Sequence, residues 1–70
     1  MQTTNTNDVR IIDIDEVMKR TGLGRSTVYA YIKESRFPAS VKVGDRSAGW
    51  VESEVAEWLR DRIKASRETV

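Results

Sequence analysis

The residues of this chain best suited to binding a charged polymer lie between positions 19 and 47. Arg25, Ser26 and Thr27 follow a glycine at what reads as the start of a helix, and Tyr29, Ala30 and Lys33 continue its outward surface. A first turn of this kind offers a guanidinium that can fork onto a guanine or a phosphate. It also offers two hydroxyls beside backbone N–H groups that have no acceptor within the helix. The alternatives are local: Ser26 and Thr27 equally suit helix capping, and Tyr29 equally suits partial burial in the core. Lys19 and Arg20 stand just ahead of the turn, where they either face phosphate or complement the negative end of a helix dipole. Lys42, Arg46 and Ser47 surround a turn-rich segment farther on, where a hairpin tip would meet phosphates or a neighbouring minor groove.

Catalytic chemistry is poorly provided for. The chain has no Cys and no His, which removes thiol nucleophiles, imidazole bases, disulfides and Cys or His zinc sites together. Seventy residues leave little room for a substrate cavity, so no enzyme, no small-molecule substrate, no cofactor and no catalytic residue is expected. The acidic group Asp13, Asp15 and Glu16 would be the candidate for a divalent metal, but helix capping accounts for it and no metal site is assigned. Neither Gly22-Leu23-Gly24 nor the Gly44 to Gly49 segment has the spacing of a phosphate-cradling loop. No apolar run approaches a membrane span and the polar start is no signal peptide. The expectation is a cytoplasmic, nucleoid-associated protein.

Net charge is only +1, but its distribution is uneven. Residues 1–18 are net −3, with Arg10 against Asp8, Asp13, Asp15 and Glu16. Residues 19–46 are net +5, with Lys19, Arg20, Arg25, Lys33, Arg36, Lys42 and Arg46 against Glu34 and Asp45. Residues 47–70 return to −1. A basic block between acidic ends makes a directional field, for which phosphate is the commonest partner.

These side chains need a frame. A domain of this size buries roughly 60% of its unfolded surface, so its core is thin. Residues 1–8 are polar and aperiodic, which predicts a disordered tail; the domain should span 9–65, with 66–70 fraying. Val9, Ile11 and Ile12 form either a brief strand or an anchor onto the core. Asp13 with Glu16 three residues on is a capping box, Ile14, Val17 and Met18 form one apolar face, and Thr21-Gly22 ends the helix. After Leu23, expected to plug the turn, a second helix buries Val28 and Ile32 with Tyr31 beside them. Phe37-Pro38 stops it. Val41 and Val43 alternate with Lys42, Gly44-Asp45-Arg46-Ser47 has turn composition, and Gly49-Trp50-Val51 returns as a partner strand. Glu52-Ser53-Glu54 opens a last helix with Val55, Trp58, Leu59, Arg62 and Ile63 on its inner side, Arg62 snorkelling, and residues 64–68 fraying. Trp50 and Trp58 read as core rather than as base-stacking platforms. The expected fold is mainly α with a small β-hairpin: a winged helix-turn-helix, comprising a helix-turn-helix, a two-stranded wing and a C-terminal helix.

The run Val17-Met18-Lys19-Arg20-Thr21-Gly22-Leu23-Gly24-Arg25-Ser26-Thr27-Val28-Tyr29 resembles the TGLSRSTIY segment of AlpA-type phage regulators. Phe37-Pro38, Val41-Lys42-Val43-Gly44, Arg46 and the stretch from Gly49 to Leu59 are similar to the second half of the same pattern, so the resemblance covers about residues 10–64. It implies a winged-helix domain related to the MerR and excisionase groups, borne by prophages and integrative elements. A recognition helix from Arg25 to about Ser35 would enter the major groove, with a wing around Gly44–Ser47. Two positions depart from the pattern: Gly24 stands where Ser is usual as N-cap, and Ala30 where a basic residue is common.

Three functions fit. The first is a sequence-specific transcriptional regulator on double-stranded DNA. The second is an excisionase, or recombination directionality factor, that bends attachment-site DNA, with an integrase as partner. The third is a protein-interaction adaptor that keeps the fold without binding DNA. On DNA, one such module covers roughly 600–1,000 Å², so self-association or cooperative binding is expected.

Overall fold

The computed structural model describes residues 9–45 and 47–68. Its elements, in order, are β1 (Ile11–Ile12), α1 (Ile14–Thr21), α2 (Arg25–Lys33), β2 (Val41–Lys42), β3 (Ala48–Val51) and α3 (Glu52–Glu68). The mainly helical class with a small β-component is the one the sequence predicts.

Helix α1 starts where its capping chemistry places it. Asp13, in an extended conformation, accepts from the Glu16 backbone N–H at 2.9 Å. The helix stops at Gly22, whose φ of 76° is left-handed and suits a residue without Cβ. The Gly22 N–H bonds back to Met18 O, and the Thr21 hydroxyl donates to Val17 O while accepting from the Leu23 N–H. Leu23 lies against the core and fills the angle of the turn, as expected.

The core is a single cluster of Ile12, Val17, Val28, Phe37, Trp50 and Val55, one or two residues from each part of the chain. Leu23, Tyr31, Ile32, Trp58 and Leu59 pack around it. Both tryptophans are structural. The Trp50 indole N–H donates to Pro38 O at 3.1 Å, and that of Trp58 to Arg36 O at 2.7 Å. The ring of Trp58 meets Phe37 edge-on. These bonds fix the reversal after α2, where Ser35 takes a positive φ of 60° and Phe37 turns into the core. In the sequence Phe37 announces only a helix stop; in the structure it is also a core residue.

β1 settles the question left open at Val9 to Ile12: it is a strand. The sheet therefore has three strands in the order β1-β3-β2, with β3 central and both pairings antiparallel. Ile11 faces Val51 and Ile12 faces Trp50; Val41 faces Gly49 and Lys42 faces Ala48. The expected two-stranded wing is thus stitched at its base to the start of the domain. Glu52 N–H donating to Arg10 O at 2.8 Å extends that seam.

α3 keeps helical geometry through Glu68, over the residues where the sequence suggests fraying. From Arg60 on, every described residue of it is exposed. Ile63, expected on the inner side, is among them because the core ends at Leu59. Arg62 does lie along the apolar surface, its guanidinium 5.1 Å from the Trp58 ring centroid and 6.0 Å from that of Tyr31. No described helix is long and apolar enough to cross a membrane.

Candidate nucleic-acid interface

α2 divides its residues sharply. Val28 is fully buried, Tyr31 and Ile32 are half-buried, and Arg25, Ser26, Tyr29, Ala30 and Lys33 are exposed. The pattern follows from 3.6 residues per turn: positions 26, 29, 30 and 33 recur at spacings of three and four, so they share one outward stripe. Thr27 is the exception in the expected set. It is half-buried and stands toward the flank of the helix.

The N-terminus of α2 differs from those of its neighbours. α1 has Asp15 and Glu16 in its first turn, and α3 has Glu52 and Glu54. α2 has no acidic residue there, and its N-cap Gly24 supplies no side-chain hydrogen bond. The first N–H groups of α2 are therefore left to solvent or to an external acceptor, at the positive end of a helix dipole. Ser26 and Thr27, which suit capping on sequence grounds, make no such bond to this end. Arg25 adds a guanidinium at the same place. It approaches Asp15 at 3.7 Å, but both side chains are well exposed, so the pair is loose and easily exchanged for another anion.

The two basic residues at the end of α1 separate in role. Lys19 is exposed and has no ion pair among the described residues. Arg20 is held from two sides: its Nε lies 2.8 Å from Glu16 on its own helix, and its Nη1 lies 2.8 Å from Glu52 at the start of α3. The hydrogen bonds it donates to Glu16 and then to Glu52 raise its pKa further, so it is a permanent cation used to tie α1 to α3. In the sequence Glu52 marks only the start of the last helix. Its partner is 32 residues away, and no local pattern signals that pairing.

In the hairpin, Lys42 is exposed on β2 and pairs across the sheet with Ala48, while Ser47 is exposed and its carbonyl accepts from Val43 N–H at 3.0 Å. Arg46 lies outside the described residues. The sheet is joined to α2 through aromatic contact: the Tyr29 ring centroid is 6.2 Å from that of Trp50, and Tyr29 is 47% exposed. Tyr29 is thus partly buried, resting one edge on the core and showing the other to solvent.

Two further cations lie over aromatic rings, Arg62 as its snorkelling position predicts and Arg36 without a signal in the sequence. Arg36 stacks 4.5 Å from the Tyr31 ring centroid while pairing with Glu34 at 3.0 Å, and Arg62 covers Trp58. Tyr31 and Lys33 are two residues apart on α2 and so point to nearly opposite sides. These arginines accordingly belong to a flank of the domain and not to the stripe of Ser26, Tyr29 and Lys33.

Residues 10–63 match the family described as prophage CP4-57 regulatory protein (AlpA). The chain is 35% identical over 66 residues to the DNA-binding transcriptional activator AlpA of Escherichia coli K12, covering 86% of this chain and 94% of that protein. It is 41% identical over 54 residues to the uncharacterized protein ORF88 of Enterobacteria phage P4, covering 77% of this chain. That alignment spans 61% of the phage protein's length. No solved structure matches the chain.

Proposed function

The chain belongs to the family of prophage CP4-57 regulatory proteins (AlpA), and from that premise we propose that it is a sequence-specific DNA-binding transcriptional regulator of a prophage or integrative element, without catalytic activity and acting in the cytoplasm on the nucleoid. The observation that carries the reading is the outward stripe of α2. Ser26, Tyr29, Ala30 and Lys33 stand exposed along one side of a helix whose own first turn has no acidic residue and carries Arg25. A helix of this diameter fits a major groove, and its N-terminal part reaches the base edges.

In this arrangement Arg25 reads a base, Ser26 and Thr27 take phosphate or base-edge contacts beside the free N–H groups, and Tyr29 and Lys33 extend along the groove. Ala30 leaves room for a base methyl where a basic side chain would otherwise reach. Lys19 from α1 and Lys42, Arg46 and Ser47 from the wing hold the backbone on either side. Arg20 contributes by fixing the angle between α1 and α3, its charge already engaged by Glu16 and Glu52. The small footprint of one module favours binding as more than one copy.

The test is a gel-shift titration against the DNA flanking the chain's own gene and any nearby integrase gene or attachment site, with a scrambled duplex as control. A specific shift at a promoter is the expected result. A specific shift confined to an attachment region would replace regulation by excisionase activity. Failure to shift any duplex at low salt would refute DNA binding and leave an adaptor.

A further inference from the structure

The sheet has a second face that the DNA-binding reading uses only at its tip, through Ser47. In register, Ile11 opposes Val51 and Val41 opposes Gly49, so these side chains share one face, while Ile12, Trp50, Lys42 and Ala48 share the other. A Cβ placed on Gly49 would run into Ile11 Cγ2 and lie 3.7 Å from Val43 Cγ2, which puts both of those side chains over Gly49 on the first face. Val9 precedes Ile11 by two residues in the same extended segment. The face therefore consists of Val9, Ile11, Val41, Val43, Gly49 and Val51, with no charged side chain among them.

Four of these are unusually open for apolar residues: Val9 is 65% exposed, Val43 58%, Val41 39% and Ile11 37%. Together they form an apolar patch of roughly a few hundred Å², the size of the largest patch on a typical monomer, which is often functional. The opposite face carries Trp50, which touches Tyr29 of α2. The apolar face is thus turned away from the recognition helix.

We propose that this face docks a second copy of the chain, back to back, when two copies occupy neighbouring inverted sites on DNA. The inference rests on the DNA-binding reading and adds the surface, the symmetry and the order of sites. Three observations select the occupant. The face is uncharged, so it complements an identical uncharged face and not a basic or acidic partner. Residues 2–8, the stretch ahead of it, contain no apolar side chain that could cover it. Its area is far below the roughly 800 Å² per partner that a stable dimer needs, so it suits copies already concentrated by a common ligand. A face that pairs with itself imposes two-fold symmetry. Because the face points away from α2, the symmetric pair carries its recognition helices outward and its wings inward, which requires inverted half-sites.

The experiment compares binding of the full chain to a short random-sequence duplex that accepts one copy and to a long duplex of the same composition. The parent should bind the long duplex cooperatively. Substituting Val9→Ser together with Val43→Ser should leave affinity for the short duplex within about twofold, and should reduce the cooperative gain on the long duplex about tenfold. The chain has no cysteine, so Val43→Cys gives a second, independent readout with a short bifunctional maleimide. It should join two copies on the long duplex and fail to join them in free protein at the same concentration, whereas Ala65→Cys, on the exposed end of α3, should join neither. Unchanged cooperativity in the double serine variant would overturn the proposal. So would a Val43→Cys variant that binds the long duplex cooperatively without becoming cross-linked on it. A parent that binds neither duplex would instead refute the DNA-binding reading, and the docking surface would fall with it.

Discussion

Gly49 is the point at which the wing is joined to the rest of the domain, and Gly49→Ala isolates that joint. The added methyl would stand inside van der Waals contact of Ile11 Cγ2 on β1 and 3.0 Å from the Ile12 carbonyl oxygen. The γ2 methyl is fixed to the branched Cβ of Ile11 and cannot move without changing χ1, and the carbonyl belongs to the β1–β3 ladder. Overpacking of this kind costs about 1–3 kcal/mol, against a gain of about 0.4–1 kcal/mol from the lower entropy of an unfolded chain with Ala in place of Gly. The net expectation is a loss of about 1–2 kcal/mol. For a domain of this size that lowers Tm by roughly 4–8 °C per kcal/mol, to be read by thermal circular dichroism. The same substitution in an Ile11→Ala background removes the worse contact and leaves only the carbonyl, so the cost should fall by about 1 kcal/mol in a double-mutant cycle. A Gly49→Ala protein that melts at or above the parent would refute the reasoning, as would an equal cost in both backgrounds.

On DNA, Arg25→Ala should abolish discrimination between a target and a scrambled duplex. Lys42→Ala should weaken binding to both alike and reduce the slope of log K against log salt by about one; gel shifts at several salt concentrations separate the two. Asp13→Ala removes the acceptor of the Glu16 N–H and should cost about 1 kcal/mol in urea denaturation. Glu52→Gln leaves Arg20 with Glu16 alone. Because both side chains are about a third exposed, the loss of stability should be small and should shrink as salt is added, which denaturation at two ionic strengths would show.

What the sequence discloses and what it withholds divide along the distance between partners. The two ends of α1, the turn at Gly22-Leu23-Gly24, the outward stripe of α2 and the hairpin at Gly44–Ser47 are set by residues within a few positions of one another, and capping, period and turn chemistry read them directly. β1 is ambiguous in the sequence because two residues have no period; it exists because Gly49, 38 positions after Ile11, is small enough to admit it. Arg20 is similar. Its composition fits a phosphate contact or a dipole partner, and only the fold brings Glu52 within 2.8 Å. Phe37 reads as punctuation before a proline, yet the reversal at Ser35 turns it inward against Trp58. Ile63 keeps the spacing of a buried position after the core has ended, because periodicity marks which side of a helix is apolar and not how far the rest of the domain extends along it.

A net charge of +1 is compatible with tight DNA binding once the charges are sorted by what they already hold. Salt-dependent affinity follows the number of phosphates neutralised at the contact, not the charge of the whole molecule. Asp15 beside Arg25 and Asp45 in the hairpin turn stand exposed near these elements, but several other carboxylates are engaged or set apart. Glu16 and Glu52 are bound to Arg20, and Glu34 to Arg36. Glu54, Glu57 and Asp61 border an open groove between α3 and residues 38–41, with Trp58 in its wall. Trp58 meets Tyr31, on the side of α2 away from Lys33. The cations without an ion pair among the described residues include Lys19, Lys33 and Lys42, one each from α1, α2 and the wing. α3 also carries such cations, Arg60 and Lys64 among them, but its acidic groove side lies away from the outward stripe of α2, while Lys19, Lys33 and Lys42 lie on the elements proposed to meet DNA. Such a distribution orients the approach of the domain as well as attracting it, and it does so without the large positive charge that would hold the protein on every stretch of DNA.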